Sequence, residues 1–396
     1  MEMIDLIKKL ASQLQEELVN KRRHLHANPE LSFEEYQTSA FLKEELKKIG
    51  IQHFEPKANT GFTAIIEGKN PGKKIVALRA DMDALPITEL NEIPYKSKNN
   101  GVMHACGHDV HSTCLLGAAS ILFHLKDQFE GSVKLIFQPG EEKLPGGASL
   151  MIADGALENP KPNSIFGQHV MPFLPVGTVG FRKGLYMASS DELFFKVKGK
   201  GGHGAMPHLS LDPVPVAAQL ITALQTITSR FANPLIPTVL TIGKVIANGA
   251  TNVIPDEVYM EGTFRTLDEN WRKKVHEHIE RICLEIGKAN SIEIEVEIRK
   301  GYPFLKNDEA ITQMAKEAAI AYLGEDKVID LDIWMASEDF AYYSQVMPAS
   351  FYRLGTRNES KGIVSGVHTP TFNIDESALE IGSGLMAWLA IKELQN

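Results

Sequence analysis

The sequence predicts an α/β fold, a mixed or mostly parallel sheet flanked by helices, with a smaller α+β domain inserted into it. Three observations carry that prediction. Short apolar runs alternate with amphipathic helical stretches up to about residue 188, the pattern of a sheet covered on both faces. From 189 to 301 the rhythm changes to β-α-β-β-α-β, the split arrangement called ferredoxin-like, and mixed helix and strand return over 302–396. Clusters of histidine, cysteine and carboxylate follow directly on apolar runs, at the strand ends where sites in such sheets gather. The domain reading is a first segment at 1–188, an insert at 189–301 and a second segment at 302–396.

Taken in order, helical periodicity covers 4–25 and 34–49, the second stopped by Gly50. Apolar runs at 63–66 and 74–78 read as strands, 111–124 as a helix and 133–137 as a strand. A helical patch at 148–157 and strands at 164–168 and 178–182 complete the first segment. In the insert, 193–198 reads as a strand, and Asp212 with Pro213 opens a helix to about 230, Asp as N-cap and Pro in the first turn. Strands at 238–246 and 258–265, a helix at 270–289 and an alternating strand at 292–299 follow.

Composition narrows the function classes. The 43% apolar and 23% charged contents are those of a globular protein, and 396 residues favour two domains. A net charge of -9 argues against nucleic acid or an anionic membrane as partner, since either needs a basic face. No apolar run approaches the roughly 18 residues of a membrane span, and the charged, amphipathic N-terminus lacks signal-peptide features. Three cysteines are too few for a disulfide framework, so the chain is read as cytoplasmic. Repeats and low-complexity segments are absent.

The densest chemistry lies in His104-Ala105-Cys106-Gly107-His108-Asp109-Val110-His111, with three histidines, a cysteine and an aspartate in eight residues. Cys106 and His108, two apart, can be directed at one transition metal by a single turn. A lone cysteine is more often a small buried apolar residue, but this one is not alone. An Asp beside a ligating His often orients it, which is the expectation for Asp109. His111 faces a polar cleft on this reading, and His104 is divided between the site and packing. Glu141 and Glu142 follow an apolar strand through Pro139-Gly140. Adjacent glutamates usually mark a solvated turn, yet here they close a strand too apolar for an edge. One can hold a metal while the other takes the proton of an attacking water and passes it to a leaving nitrogen. His169 and His368 are isolated in sequence. Counted with Cys106, His108 and Glu142 they make five donors, more than the three of a single catalytic zinc, which points to two metals. The glycines of Gly199-Lys200-Gly201-Gly202-His203-Gly204 fit a dinucleotide-binding pattern, but no helix opens after them, so they are read as a loop presenting His203.

Arg79-Ala80-Asp81-Met82-Asp83-Ala84-Leu85-Pro86, His104-Ala105-Cys106-Gly107-His108-Asp109, Gln138-Pro139-Gly140-Glu141-Glu142, Gly201-Gly202-His203-Gly204-Ala205, Asn252-Val253-Ile254-Pro255-Asp256 and Ser337-Glu338-Asp339-Phe340 occur in that order. Together they resemble the aminoacylase and carboxypeptidase family of dinuclear metallohydrolases, nearest the branch of hippurate hydrolase, N-acyl-amino-acid amidohydrolases and auxin–amino acid conjugate hydrolases. The resemblance runs from Arg22 to Ile374. It implies a zinc-peptidase-like catalytic domain and an inserted lid that also serves as dimerisation surface. It implies Cys106, His108, Glu142, His169 and His368 as ligands of two divalent ions per protomer, zinc or manganese, with cobalt or nickel as alternatives. It further implies Glu141 as general base, and His203 and Asn252 as lid groups that stabilise the oxyanion. Arg265 is chosen here to grip a substrate carboxylate as a bidentate donor, against the plainer reading of a solvated strand arginine.

The chain departs from the aminopeptidase-like and carboxypeptidase branches, which carry His-x-Asp where Asp81-Met82-Asp83 stands, the histidine binding metal. Asp81 and Asp83 are therefore read as supporting groups, Asp83 alongside Asp109. The expected activity is hydrolysis of an N-acyl (acetyl, benzoyl or similar) amino acid to a carboxylate and a free amino acid. The alternatives are a metallo-carboxypeptidase or dipeptidase on short peptides, and a non-catalytic metal-binding dimer.

Overall fold

A computed structural model describes residues 2–396; residue 1, where the first segment of the domain reading begins, lies outside them. The described residues form two compact units, one built from 2–186, 306–333 and 339–396 and the other from 187–305 and 334–338.

In chain order the first unit contributes α1 (Met3–Ala27), α2 (Tyr36–Ile49), β1 (Glu55–Lys57), β2 (Gly61–Glu67), β3 (Ile75–Asp81), α3 (His108–His124), β4 (Ser132–Gln138), α4 (Gly147–Ala153), β5 (Ser164–Pro175) and β6 (Val179–Phe181). The second unit contributes β7 (Asp191–Lys198), α5 (Pro213–Thr226), β8 (Thr238–Ile246), β9 (Glu257–Thr266), α6 (Glu269–Asn290) and β10 (Glu293–Lys300). The first unit resumes with α7 (Glu309–Leu323), β11 (Val328–Asp330), β12 (Ala349–Arg357) and α8 (Ala378–Gln395).

Among the described residues, eight strands of the first unit form one mixed sheet in the order β1-β2-β4-β3-β5-β12-β6-β11. Its centre, β4-β3-β5-β12, is parallel. Every residue of β3 and β4 is buried, which is why these strands, apart from the buried Arg79, Asp81, Lys134 and Gln138, are largely apolar and do not alternate. The core gathers Leu18 of α1, Leu42 of α2, Leu78 of β3, Leu115 of α3 and Leu389 of α8. Helices α3 and α8 approach so closely that a Cβ on Gly117 would lie 2.3 Å from Ser383 Oγ. A side chain there would push the helices apart and cost core packing.

Two boundaries near the histidine and cysteine donors differ from the sequence expectation. Helix α3 starts at His108 rather than 111, because Gly107, with φ of 84°, turns the chain into the helix. Strand β5 runs on from 168 to Pro175. β12 pairs with β5 from Ile165 to Met171 and, after an irregularity spanning Pro172, again at Pro175. His169 is thus inside a strand.

The second unit folds β-α-β-β-α-β, with sheet order β8-β9-β7-β10 and every pairing antiparallel. Its own core joins Leu193 and Phe195 of β7, Leu220 and Leu224 of α5, Met260 of β9, and Val275 and Ile279 of α6. No helix among the described residues is long and apolar enough to cross a membrane.

Candidate active site

The site of the first unit is assembled at the carboxyl ends of β3 and β4, the first turn of α3 and the middle of β5. Gly107 leaves no room for a side chain, since a Cβ would lie 2.6 Å from Val170 Cγ2. That close approach brings Cys106 and His108 against β5. Cys106 Sγ lies 3.4 Å from His169 Nε2 and 3.3 Å from His368 Nε2. His368 Nε2 is 3.1 Å from Glu142 Oε1, and His108 Nε2 is 4.0 Å from the same oxygen. Donor atoms of Cys106, His108 and His169 fall within 4.8 Å of one another, as do those of Cys106, Glu142 and His368, and those of His108, Glu141 and Glu142. The five donors singled out from sequence therefore surround one locus, with Glu141 beside it. Cys106, His108 and His169 form its buried wall and His368 its exposed rim. His368 holds a φ of 60°, a conformation costly for a non-glycine residue and one that tends to accompany functional sites.

Hydrogen bonds fix which atom each group offers. His108 Nδ1 is 3.1 Å from Asp83 Oδ1, which leaves Nε2, buried and without a hydrogen-bond partner, to face the cluster. Glu142 Oε1 is likewise buried without one. His169 Nδ1 lies 2.7 Å from the Val170 carbonyl, so its Nε2 points at Cys106. Asp83 also accepts from Ser32 Oγ at 2.6 Å and from the backbone N–H groups of Glu141 and Glu142 at 3.1 and 3.0 Å. One carboxylate thus orients both the histidine and the glutamate pair. Glu141 Oε1 accepts from the Asp339 backbone N–H at 3.1 Å. The Asp339 carboxylate is in turn held by Arg79 Nη2 at 2.6 Å, by Gln138 Nε2 and by the N–H of Ala148.

Electrostatics match a cation. Burial, then the Glu142 and Glu141 carboxylates, push the Cys106 thiol well above its usual range. Burial alone would lower His108, but Asp81 and Asp83 outweigh it and raise it to about 10. These donors sit buried among carboxylates, surroundings in which a divalent ion would favour thiolate and neutral imidazole as ligands. Burial, with Arg353 nearby, holds His169 well below the usual histidine range, neutral as ligation requires. Orphaned Nε2 and Oε1 atoms beside a thiol and two further imidazoles are a donor set that fits zinc or its first-row neighbours.

Asp109 does not orient His108. It faces Arg22, whose Nε lies 2.8 Å away, and His26, whose Nδ1 lies 2.7 Å away. Consecutive helical residues project about 100° apart, so 108 and 109 serve different surroundings. Its adjacency in sequence was misleading, and Asp83, from a different element, takes that task. His203, Asn252 and Arg265 belong to the second unit. A short ladder pairs Val253 with His203, and Gly204 donates to the Asn252 carbonyl at 2.8 Å, so His203 and Asn252 are neighbours. Arg265 is half-buried on β9, with Nη1 donating to the Met335 carbonyl at 3.1 Å. Ser32 went unnoticed in the sequence, and Gln138 and Asp339, though inside the quoted motifs, were given no role there. Only the improbability of Arg79 directly after the apolar run 75–78 signals that buried acids await it.

The family model for peptidase family M20/M25/M40 matches residues 77–392. The chain belongs to the M20/M25/M40 peptidase family. This M20 chain is 45% identical over 368 residues to an N-acetyl-L-cysteine deacetylase of Bacillus subtilis, covering 93% of itself and 86% of that protein. It is 38% identical to thermostable carboxypeptidase 2 of Saccharolobus solfataricus, covering 99% of each. Among solved structures it resembles a dinuclear metal binding peptidase of the M20 family from Bacillus subtilis, with a TM-score of 0.83 and 36% identity over 97% of this chain and 99% of that one. As an M20 protein it is a metal-dependent hydrolase of carbon–nitrogen bonds.

Proposed function

We propose that this enzyme hydrolyses the amide bond of small N-acyl amino acids, releasing a carboxylic acid and a free amino acid. The observation that carries the reading is the convergence of Cys106, His108, Glu142, His169 and His368 on one locus with Glu141 alongside. The identity with a protein named for N-acetyl-L-cysteine deacetylation supports the acyl amino acid class. The five residues would hold two divalent ions per protomer, zinc or manganese, with cobalt or nickel as alternatives, which when bound polarise water and the amide carbonyl.

The chain's own groups do the rest. Glu141, held at Oε1 by the Asp339 N–H, takes the proton of the attacking water and delivers it to the departing nitrogen. His203 and Asn252, adjacent in the second unit, donate to the oxyanion. Arg265 grips the substrate carboxylate with the part of its fork not spent on Met335. In this reading the second unit acts as lid and as the surface of a homodimer. Three cysteines, all free and buried, suit the cytoplasm.

The test is amine release from acetyl-, benzoyl- and indoleacetyl-amino acids and from dipeptides, by apo-protein reconstituted with each of the four metals. Metal-dependent release from the acyl amino acids is expected. Turnover of dipeptides alone would instead support carboxypeptidase or dipeptidase action, which the carboxypeptidase relative favours.

A further inference from the structure

We propose that Asp81 and His111 are positioning residues that set the place and tautomer of His169, acting through the backbone of Val170. The proposal rests on the reading of His169 as a metal ligand.

His111 is fully buried on α3, one turn beyond His108. Its ring lies 5.3 Å from that of His108 and 4.6 Å from that of His169, close enough to pass for a further ligand. Its hydrogen bonds exclude that role. The Val170 backbone nitrogen is 2.9 Å from His111 Nε2, and Asp81 Oδ1 is 2.6 Å from Nδ1. A backbone N–H only donates, so Nε2 is the acceptor and the ring proton sits on Nδ1, facing Asp81. Both ring nitrogens are then engaged, and no lone pair remains for a cation. Asp81 is engaged as well, Oδ1 by His111 and Oδ2 by Arg79 Nη1 at 2.5 Å.

What the pair does is clamp Val170. Its N–H is held by His111, and its carbonyl accepts from His169 Nδ1 at 2.7 Å. The second bond keeps the His169 proton on Nδ1 and its Nε2 lone pair toward Cys106, 3.4 Å away. A ligand on β5 is thereby fixed from β3 and α3, and a loss at His111 should loosen Val170 and scatter the His169 ring. Interactions one step removed from a metal commonly contribute 10–100-fold to its affinity.

The test uses the full-length apo-protein titrated with cobalt(II) alone, following the thiolate-to-cobalt absorption of Cys106 and the ligand-field bands. His111→Phe preserves bulk and removes both hydrogen bonds. We expect it to bind one cobalt equivalent about 10–100-fold more weakly, with altered ligand-field bands. His111→Gln keeps one acceptor and one donor and should recover affinity to within about threefold, a rescue that loss of bulk would not give. Wild-type affinity and spectrum in His111→Phe would overturn the proposal, and so would a His111→Gln variant as impaired as the phenylalanine one. If His111→Phe does not fold, Asp81→Asn replaces it. An asparagine amide can donate to Nδ1 and so release the opposite tautomer, which turns an N–H against that of Val170. Weakened binding supports the proposal and unchanged binding defeats it. His169→Ala separates the underlying reading: two cobalt ions bound at full strength there would remove His169 from the ligand set, whatever His111 does.

Discussion

Arg79 sets one positive charge between two buried carboxylates, Asp81 at 2.5 Å and Asp339 at 2.6 Å, with no solvent to substitute for it. Removing one partner of such a buried cluster typically costs about 3–5 kcal/mol, because the remaining charges stay unpaired. Arg79→Met should lower the stability of the apo-protein by that amount, read from urea unfolding. A loss below about 1 kcal/mol would mean that the acids find other partners. At this scale the sequence was legible where donors share one short motif. Cys106 with His108 could be paired by spacing, and Glu141 with Glu142 by their place at the end of an apolar strand. Roles that depend on which way a ring points were not legible. Asp109 and His111 lie within about one helical turn of His108, yet one serves Arg22 and His26 and the other holds Val170.

Helix α7 begins at Asp308, whose Oδ1 accepts from the N–H groups of Ala310 and Ile311, both at 3.0 Å. Asp308→Ala should cost about 1 kcal/mol, the usual worth of an N-cap, as a lower urea midpoint. In the second unit, Asp191 at the start of β7 is buried against α6, with His276 Nε2 at 2.6 Å and Arg272 Nε at 3.0 Å. Burial would raise its carboxyl, but the hydrogen bonds from His276 and Arg272 outweigh burial and hold it below the usual range. Its stabilising share is therefore complete above an unfolded aspartate's pKa near 3.9 and is lost as pH falls through the lower folded value. Asp191→Asn should start less stable at pH 7 and decline less steeply between about pH 5 and 2. Denaturation midpoints of the two proteins falling in parallel across that range would refute the assignment. Element order was readable because buried parallel strands and amphipathic helices carry different periods. The far end of β5 was not, since proline is rare inside strands and the pairing with β12 skips Pro172 before it resumes at Pro175.

At the scale of the molecule, the switch of rhythm near residue 189 was legible because an antiparallel sheet with one covered face alternates, whereas β3 and β4 are buried throughout. The substrate was not, because acyl selectivity depends on pocket shape rather than on any motif. Metal binding by the folded state alone should stabilise the whole chain through linkage. Chelation should abolish turnover and lower the melting temperature, and readdition of zinc or manganese should restore both. An unchanged melting temperature after verified metal loss would separate the ions from the fold.

In the proposed hydrolysis Glu141 moves the proton while its neighbour Glu142 helps hold the metal. The measurement that reaches this division of roles most directly is the rate of amine release from an N-acetyl amino acid by wild type and Glu141→Gln, with bound metal counted in both. Equal metal content is expected, with a rate at least about 100-fold lower in the variant, the usual share of a general base. Equal metal content with wild-type turnover would contradict that division.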